Sequence, residues 1–378
     1  SFFAKQNKSF KFPEKNVCVE HSSGIDSNAI IGAIIKNKML NKKNLFTWSE
    51  NLNTEGIFIN KFRNFYQLEN KNCLTEKKGG LKENNMNKNL EILGFPPLYE
   101  DSIEVLEKIK NKNCKLLISG WGGDQCLSHT GSNVPIDIAS EMNLFKLFSY
   151  SKNLSSTSKV ILKKLIYSLS KKVTEIYISK SYGSDYKENI LFKSFSKQGK
   201  LDLGKFLYVK YPVSFDSFIS QKELMQKSLL DEYTSIRAES ESRLANSFGI
   251  KKIFPFLDIG LINNVIHQNS YFFSSNENSL RDYSRNTFKE YLPKEIFKDP
   301  SKKISVGSSY NLNMDILREK LISKLSFCNN LHPLIEKWFD KNKLEILAIK
   351  SKTKKEIVND TFFINRLNIM NNWLIKME

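Results

Sequence analysis

Cysteine is scarce and shows no pairing pattern: Cys18, Cys73, Cys114, Cys126 and Cys328 are odd in number, far apart and form no CxxC pair. That excludes a disulfide scaffold and a thiolate zinc site. Cys18 and Cys114 fall in apolar runs, where a free thiol serves as a small core residue, and a reducing cytoplasm is the expected location. Long apolar runs are missing too. No stretch of about 18 uncharged apolar residues occurs, so no membrane-spanning helix is expected. The opening residues Ser1 to Lys5 lack the basic start, apolar stretch and cleavage site of a secretory signal. Position 1 is not Met, which is consistent with a segment removed upstream. Acids are the third shortage: 40 Asp and Glu stand against 58 Lys and Arg, a net charge of +18. That charge favours anionic partners such as nucleotides, RNA or a membrane face, and chooses none of them. What the chain does have is 378 residues, 40% of them apolar and 12% aromatic. This is enough to bury a core and build two average domains, and it excludes a wholly disordered protein.

The apolar patterning alternates between strand and helix. Lys15 to Glu20 reads as a buried strand, the polar HSSGIDS follows, and Asn28 to Leu40 has the content of a helix. Leu45 to Trp48 and then Ile57 to Leu68 form a second such unit. Residues 72–92 are rich in Lys and Asn, contain Gly79-Gly80 and read as a surface excursion. Ser102 to Asn113 is helical by spacing and runs into the strand Lys115 to Ile118, followed by Ser119-Gly120-Trp121-Gly122-Gly123-Asp124. Alternation of this kind predicts an α/β fold with a parallel twisted sheet flanked by helices. From about residue 136 the pattern turns mainly helical, with apolar-periodic segments at 142–149, 157–173, 220–248 and 331–349. The expected organisation is a stub or linker at 1–15, a nucleotide-binding α/β region at 16–135 and a helical region at 136–378. The stretch from Ser151 to Thr174 has no acid, and its lysines alternate with aliphatic residues. A solvated Lys face on an ordinary helix accounts for this, although a basic amphipathic helix can also meet a membrane, RNA or a partner.

Ligands of open parallel sheets bind beyond the carboxyl ends of the strands, and two polar, glycine-bearing loops are expected there, residues 22–27 and 119–124. Ser22-Ser23-Gly24-Ile25-Asp26-Ser27 ends a strand and opens a helix, so its N–H groups and hydroxyls can surround a phosphate. Bare phosphate would repel Asp26, whose presence makes sense if a divalent cation bridges carboxylate and phosphate. In the second loop Gly120, Gly122 and Gly123 allow close backbone approach, and Asp124 supplies a second carboxylate for the same metal. Taken singly, each loop could equally be a plain turn with an Asp cap.

SSGIDS resembles the pyrophosphate-binding SGGxDS loop of the PP-loop ATP pyrophosphatases, and SGWGGDQ resembles the SGxGxDE loop of their asparagine synthetase branch. Pro255-Phe256-Leu257-Asp258 is similar to that branch's PFLD motif. Leu280-Arg281 through Tyr291-Leu292-Pro293 to Lys302-Lys303 is similar to its LR...LP...K segment. The resemblance implies ATP-dependent activation of a carboxylate as an acyl-adenylate, with pyrophosphate release, and then amide formation with an amine. By the same resemblance Ser22, Ser23, Gly24, Asp26 and Ser27 hold pyrophosphate, while Ser119, Gly120, Gly122 and Gly123 lie by the nucleotide. Asp26 and Asp124 bind Mg²⁺, and Lys302 or Lys303 stabilises developing negative charge.

The departures are informative. Ser23 replaces a glycine, and Trp121 stands where relatives carry Glu or Tyr. Gln125 replaces a Glu. Where the branch often shows ExRxPFLD, this chain has Lys251 at the Glu position and Ile253 at the Arg position. Trp121 and Lys251 therefore join the two lysines as residues expected at the reacting groups, and no general base is visible at the family positions. Glu239 and Glu241 are nearby candidates, otherwise helix-surface charges. No glutaminase domain fits before the first strand. Ammonia then comes from a separate or removed glutaminase-like domain, or the amine belongs to the substrate, as in lasso-peptide cyclases and β-lactam synthetases. The expected substrate is a small-molecule or peptide carboxylate. The weighed alternatives are a PP-loop tRNA-modifying enzyme, which the second loop and PFLD disfavour, and a nucleotide-binding subunit without catalysis.

Overall fold

The computed structural model describes residues 15–49, 52–75, 103–151, 158–161, 196–199, 219–230, 232–276, 281–293, 330–344, 367–368, 370–375 and 377. In chain order these form β1 (Asn16–Glu20), α1 (Ile25–Lys36), β2 (Leu45–Ser49), α2 (Leu52–Tyr66), β3 (Cys73–Thr75), α3 (Ile103–Asn111) and β4 (Cys114–Ile118). They continue with α4 (Val134–Ser140), α5 (Leu144–Ser151), α6 (Gln221–Leu230), α7 (Glu232–Ser247), β5 (Lys251–Ile253), α8 (Ile259–Ile266), α9 (Asp282–Phe288) and α10 (Pro333–Trp338).

All five strands pair in parallel in the order β3-β2-β1-β4-β5. The α/β fold class and its parallel sheet are thus as the alternation requires. Val17 and Val19 pair with Leu45 and Thr47 on one side, and with Leu116 and Ile118 on the other. Both valines are fully buried, as expected of a strand covered on both faces. The strand order reverses beside β1, so the crevice between the ends of β1 and β4 is a topological switch point. Both glycine-bearing loops leave the sheet there.

Two strands went unread in the sequence. β3 lies in the segment expected to be a surface excursion, and β5 comes from beyond residue 136, in the part expected to be helical. Each is only three residues long and sits at a sheet edge, so the apolar alternation that marks a strand has no length to show itself. The chain divides into two compact units. One unit takes Ser1–Gly79, Pro97–Ile161 and Ile219–Ser305; the other takes Gly80–Pro96, Leu162–Phe218 and Val306–Glu378.

The first unit's core joins Val17, Val19, Ile31, Leu116 and Ile118 to Phe62 from α2, Leu147 from α5, Met225 from α6 and Phe256 after β5. In the second unit Leu331, Ile335, Phe339, Leu344 and Leu367 form a small cluster. There His332 caps α10 through its ring, and its N–H donates to Asn371 Oδ1 at 2.7 Å. Cys18, Cys114 and Cys126 are free and buried, as small core residues. Among the described residues no helix is long and apolar enough to cross a membrane.

Candidate active site

The first loop is tied by its own serines. Ser22 N–H donates to Ser27 Oγ at 3.1 Å, the two hydroxyls lie 2.9 Å apart, and Gly24 N–H donates to Ser22 Oγ at 3.2 Å. Asn28 Nδ2 closes the loop from inside by donating to the carbonyls of Ser22 and Gly24 at 2.9 and 2.6 Å. Helix α1 starts at Ile25, and its N-cap Gly24 has no side-chain capping bond. A glycine cap leaves room at the first turn of this twelve-residue helix for an outside acceptor, an arrangement that suits phosphate. His21 anchors the loop's entry through Nε2 and Asn28 Oδ1, 3.0 Å apart. Burial and then the nearby Arg63 lower the His21 pKa to about 3, so the ring is neutral.

The second loop fits onto the first because it is made of glycines. A Cβ on Gly120 would come within 2.8 Å of the Ser27 backbone N, and one on Gly123 would run into the Asp26 carboxylate. Gly122 has φ +95°, and a Cβ there would sit 2.7 Å from Leu257, a member of the PFLD motif. Asp258 of that motif serves the fold, accepting from Leu261 N–H at 2.9 Å to cap α8.

This packing brings the two acids together. Ser128 Oγ lies 2.9 Å from Asp26 Oδ2 and 3.4 Å from Asp124 Oδ1, so one hydroxyl bridges both carboxylates. Asp26 Oδ1 is sealed from water and has no hydrogen-bond partner. Burial and then the like charge of Asp124 raise the Asp26 pKa to about 7. Asp124 is exposed, and Arg281, from the LR segment, donates to its Oδ1 at 2.8 Å. An orphaned buried carboxylate oxygen beside a second carboxylate fits a divalent cation. Among the described residues no group of three His, Cys, Asp or Glu stands together. The two acids would thus supply only part of a shell, leaving the remainder to phosphate and water, as Mg²⁺ prefers.

A second charged cluster, not anticipated from the sequence, flanks the loops. Glu20, the last residue of β1, accepts from Ser119 Oγ, and Lys252 of β5 lies 2.7 Å from its other oxygen. Lys252 also reaches Glu241 on α7 at 2.7 Å, and Glu241 holds Arg237 at 2.7 Å. Burial alone would push the Glu241 carboxyl up; Lys252 and Arg237 outweigh it and hold the group below the ordinary carboxylate range. With an oxygen committed to each cation, Glu241 is a poor base. Glu239 is exposed and faces Arg243 at 3.6 Å. The clues to this cluster were an acid ending an apolar strand, two lysines inside an apolar run, and an Arg and Glu four apart on a helix.

The site residues expected from sequence divide accordingly. Ser22, Ser23, Gly24, Asp26 and Ser27 lie in the first loop. Ser119, Gly120, Trp121, Gly122, Gly123 and Asp124 lie in the second, against them. Lys251 is exposed, and its buried neighbour Lys252 takes the inward position. Lys302, Lys303 and most of the basic run 151–174 lie outside the described residues. Gln125 is placed with its Oε1 buried and unpartnered.

The model of the asparagine synthase family matches residues 14–359. The chain belongs to the asparagine synthase family. This is a family of ATP-dependent ligases, and the match takes in both loops, the PFLD segment and the LR...LP...K segment. No curated protein matches the chain.

Proposed function

We propose that this asparagine synthase family member is an AMP-forming ligase that joins a specialised carboxylate, on a peptide or amino acid, to an amine. The observation that carries this is the seating of the second loop on the first, with glycines at the contacts and Ser128 between Asp26 and Asp124. The first loop and the open end of α1 hold the β- and γ-phosphates of ATP. A carboxylate oxygen attacks the α-phosphorus, the bond to the bridging oxygen breaks, and pyrophosphate leaves with that electron pair. The amine then attacks the activated carbonyl carbon, AMP departs, and one proton is lost from nitrogen.

Mg²⁺ held by Asp26 and Asp124 would neutralise charge building on the phosphates. The residues themselves orient the nucleotide: Ser22 and Ser27 fix the loop, Ser128 aligns both carboxylates, and Arg281 holds Asp124. Lys302 or Lys303 would supply the positive charge facing the leaving group. Trp121 in place of an acid favours a specialised substrate over free aspartate, and the amine comes from that substrate or from a glutaminase-like partner. The protein would work in the cytoplasm.

ATP–pyrophosphate exchange across aspartate, peptide and β-amino acid candidates tests this reading. Exchange that depends on one class of carboxylate is expected, and no exchange with any of them contradicts it. The ion pair between Arg281 and Asp124 favours one second reading, a nucleotide-binding subunit without catalysis, which would bind Mg²⁺ and nucleotide yet never turn over.

A further inference from the structure

The charged cluster beside the loops closes on itself. From Lys252 one arm runs through Glu20 to Ser119, whose Oγ accepts from the Trp121 N–H at 3.2 Å. The other arm runs through Glu241 to Arg237, whose guanidinium lies 4.6 Å over the Trp121 ring. Phe254 meets the same indole edge-on, with centroids 5.8 Å apart at 78°. Six residues from β1, β4's following loop, α7 and β5 thus hold one side chain at both its backbone and its ring. Two acids alternate with two bases around the circuit.

Lys252 and Glu241 are buried, and a buried ion pair is an expensive way to stabilise a fold, since apolar residues of the same volume do as well or better. Its product here is a fixed indole. That indole stands in the second loop, between the glycine that approaches Ser27 and the glycine that approaches Asp26. Both carboxylates of the circuit are committed to it, so among the described residues the circuit offers no acid to a substrate ammonium.

We propose that Lys252, Glu241 and Arg237 are positioning residues that fix Trp121 as the specificity-determining wall of the acyl pocket, selecting a carboxylate carried on a flat or apolar group. This rests on the ligase reading above. The flat indole gives such a substrate a stacking surface and offers the ammonium of free aspartate no carboxylate to pair with. The guanidinium over its far face and the Phe254 edge keep the ring from turning away.

The test uses the whole chain, the best carboxylate in the exchange panel, and a non-hydrolysable Mg²⁺–ATP analogue. Arg237→Met should raise the carboxylate KM by about 10-fold, the scale of one desolvated cation–π contact, while calorimetric affinity for the analogue stays within about 2-fold. Arg237→Lys keeps a charge for Glu241 and should restore the melting temperature without restoring KM, because an ammonium does not stack as a guanidinium does. In a Trp121→Leu background, Arg237→Met should add nothing further to KM.

The proposal is overturned if KM is unchanged in Arg237→Met, if KM rises and analogue affinity falls along with it, if the effects of Arg237→Met and Trp121→Leu simply add, or if free aspartate is the best substrate. Wild-type protein that exchanges with no carboxylate, whether or not it binds the analogue, overturns the ligase reading, and this proposal with it. Active wild-type protein whose variants behave in any of the contrary ways overturns the proposal alone.

Discussion

Two clusters of charge sit at the same rim of the sheet and are built on opposite terms. Around Lys252 every acid has a base: Glu20 and Glu241 share its ammonium at 2.7 Å each, and Glu241 also holds Arg237. Around Asp26 a buried carboxylate faces a second carboxylate and keeps one oxygen orphaned; Ser128 lies between the two, and the ion pair from Arg281 goes to the exposed Asp124. Balanced charge in a protein interior holds geometry. Unbalanced charge is a deficit that a ligand can fill. The contrast separates the part of the rim that supports from the part proposed to bind.

The largest expected effect breaks the balanced side. Lys252→Met leaves Glu20 without its base and Glu241 with Arg237 alone, and should cost about 3–5 kcal/mol, read from denaturant midpoints. The same kind of change on the unbalanced side should act in the opposite direction. Asp26→Asn removes a charge that burial, and then the like charge of Asp124, disfavour, and should stabilise the metal-free fold by about 2–4 kcal/mol at pH 8.

The signs with pH follow from the same two groups. Asp26 has a folded pKa of about 7 against an ordinary 3.8. Its contribution is fully present below about pH 4 and is lost as pH rises to about 7. Glu241 is held below its ordinary value, so its contribution is present at neutral pH and is lost as pH falls through the acid range. Melting temperature against pH in wild type and Asp26→Asn should therefore differ most above about pH 7 and converge below about pH 4. Added Mg²⁺ should raise the wild-type melting temperature more at pH 8 than at pH 6, since the carboxylate must lose its proton to bind.

Smaller effects sharpen the comparison. Gly123→Ala forces a methyl into the Asp26 carboxylate and should cost about 1–3 kcal/mol together with most nucleotide affinity. Asp258→Ala removes only the cap of α8 and should cost about 1 kcal/mol with nucleotide affinity unchanged. Loss of affinity in Asp258→Ala would show that PFLD reaches the nucleotide directly.

Much of the fold was legible because its signals are local. Val17-Cys18-Val19, Leu45-Phe46 and Leu116-Leu117-Ile118 are apolar runs bounded by polar turns, and the helices between them carry apolar periodicity. Both loops were legible for the same reason, since Ser, Gly and Asp clustered after an apolar strand stand out within a few residues. What stayed hidden depends on distant partners. Lys252 looks like a solvated lysine until Glu20 and Glu241, 232 and 11 positions away, are seen to hold it. Ser128 is an ordinary serine until Asp26 and Asp124 converge on it. β5 is hidden by its own lysines, because a strand reading KKI shows no apolar alternation.

The central claim, that Asp26 and Asp124 meet around one magnesium-bound triphosphate, is tested most directly by calorimetry of ATP-analogue binding at pH 8, with and without Mg²⁺, in wild type and Asp26→Asn. Affinity should rise by about 10-fold or more with Mg²⁺ in wild type, and the variant should lose that dependence. Equal affinity with and without Mg²⁺ in wild type, or the same Mg²⁺ dependence in both proteins, would contradict it.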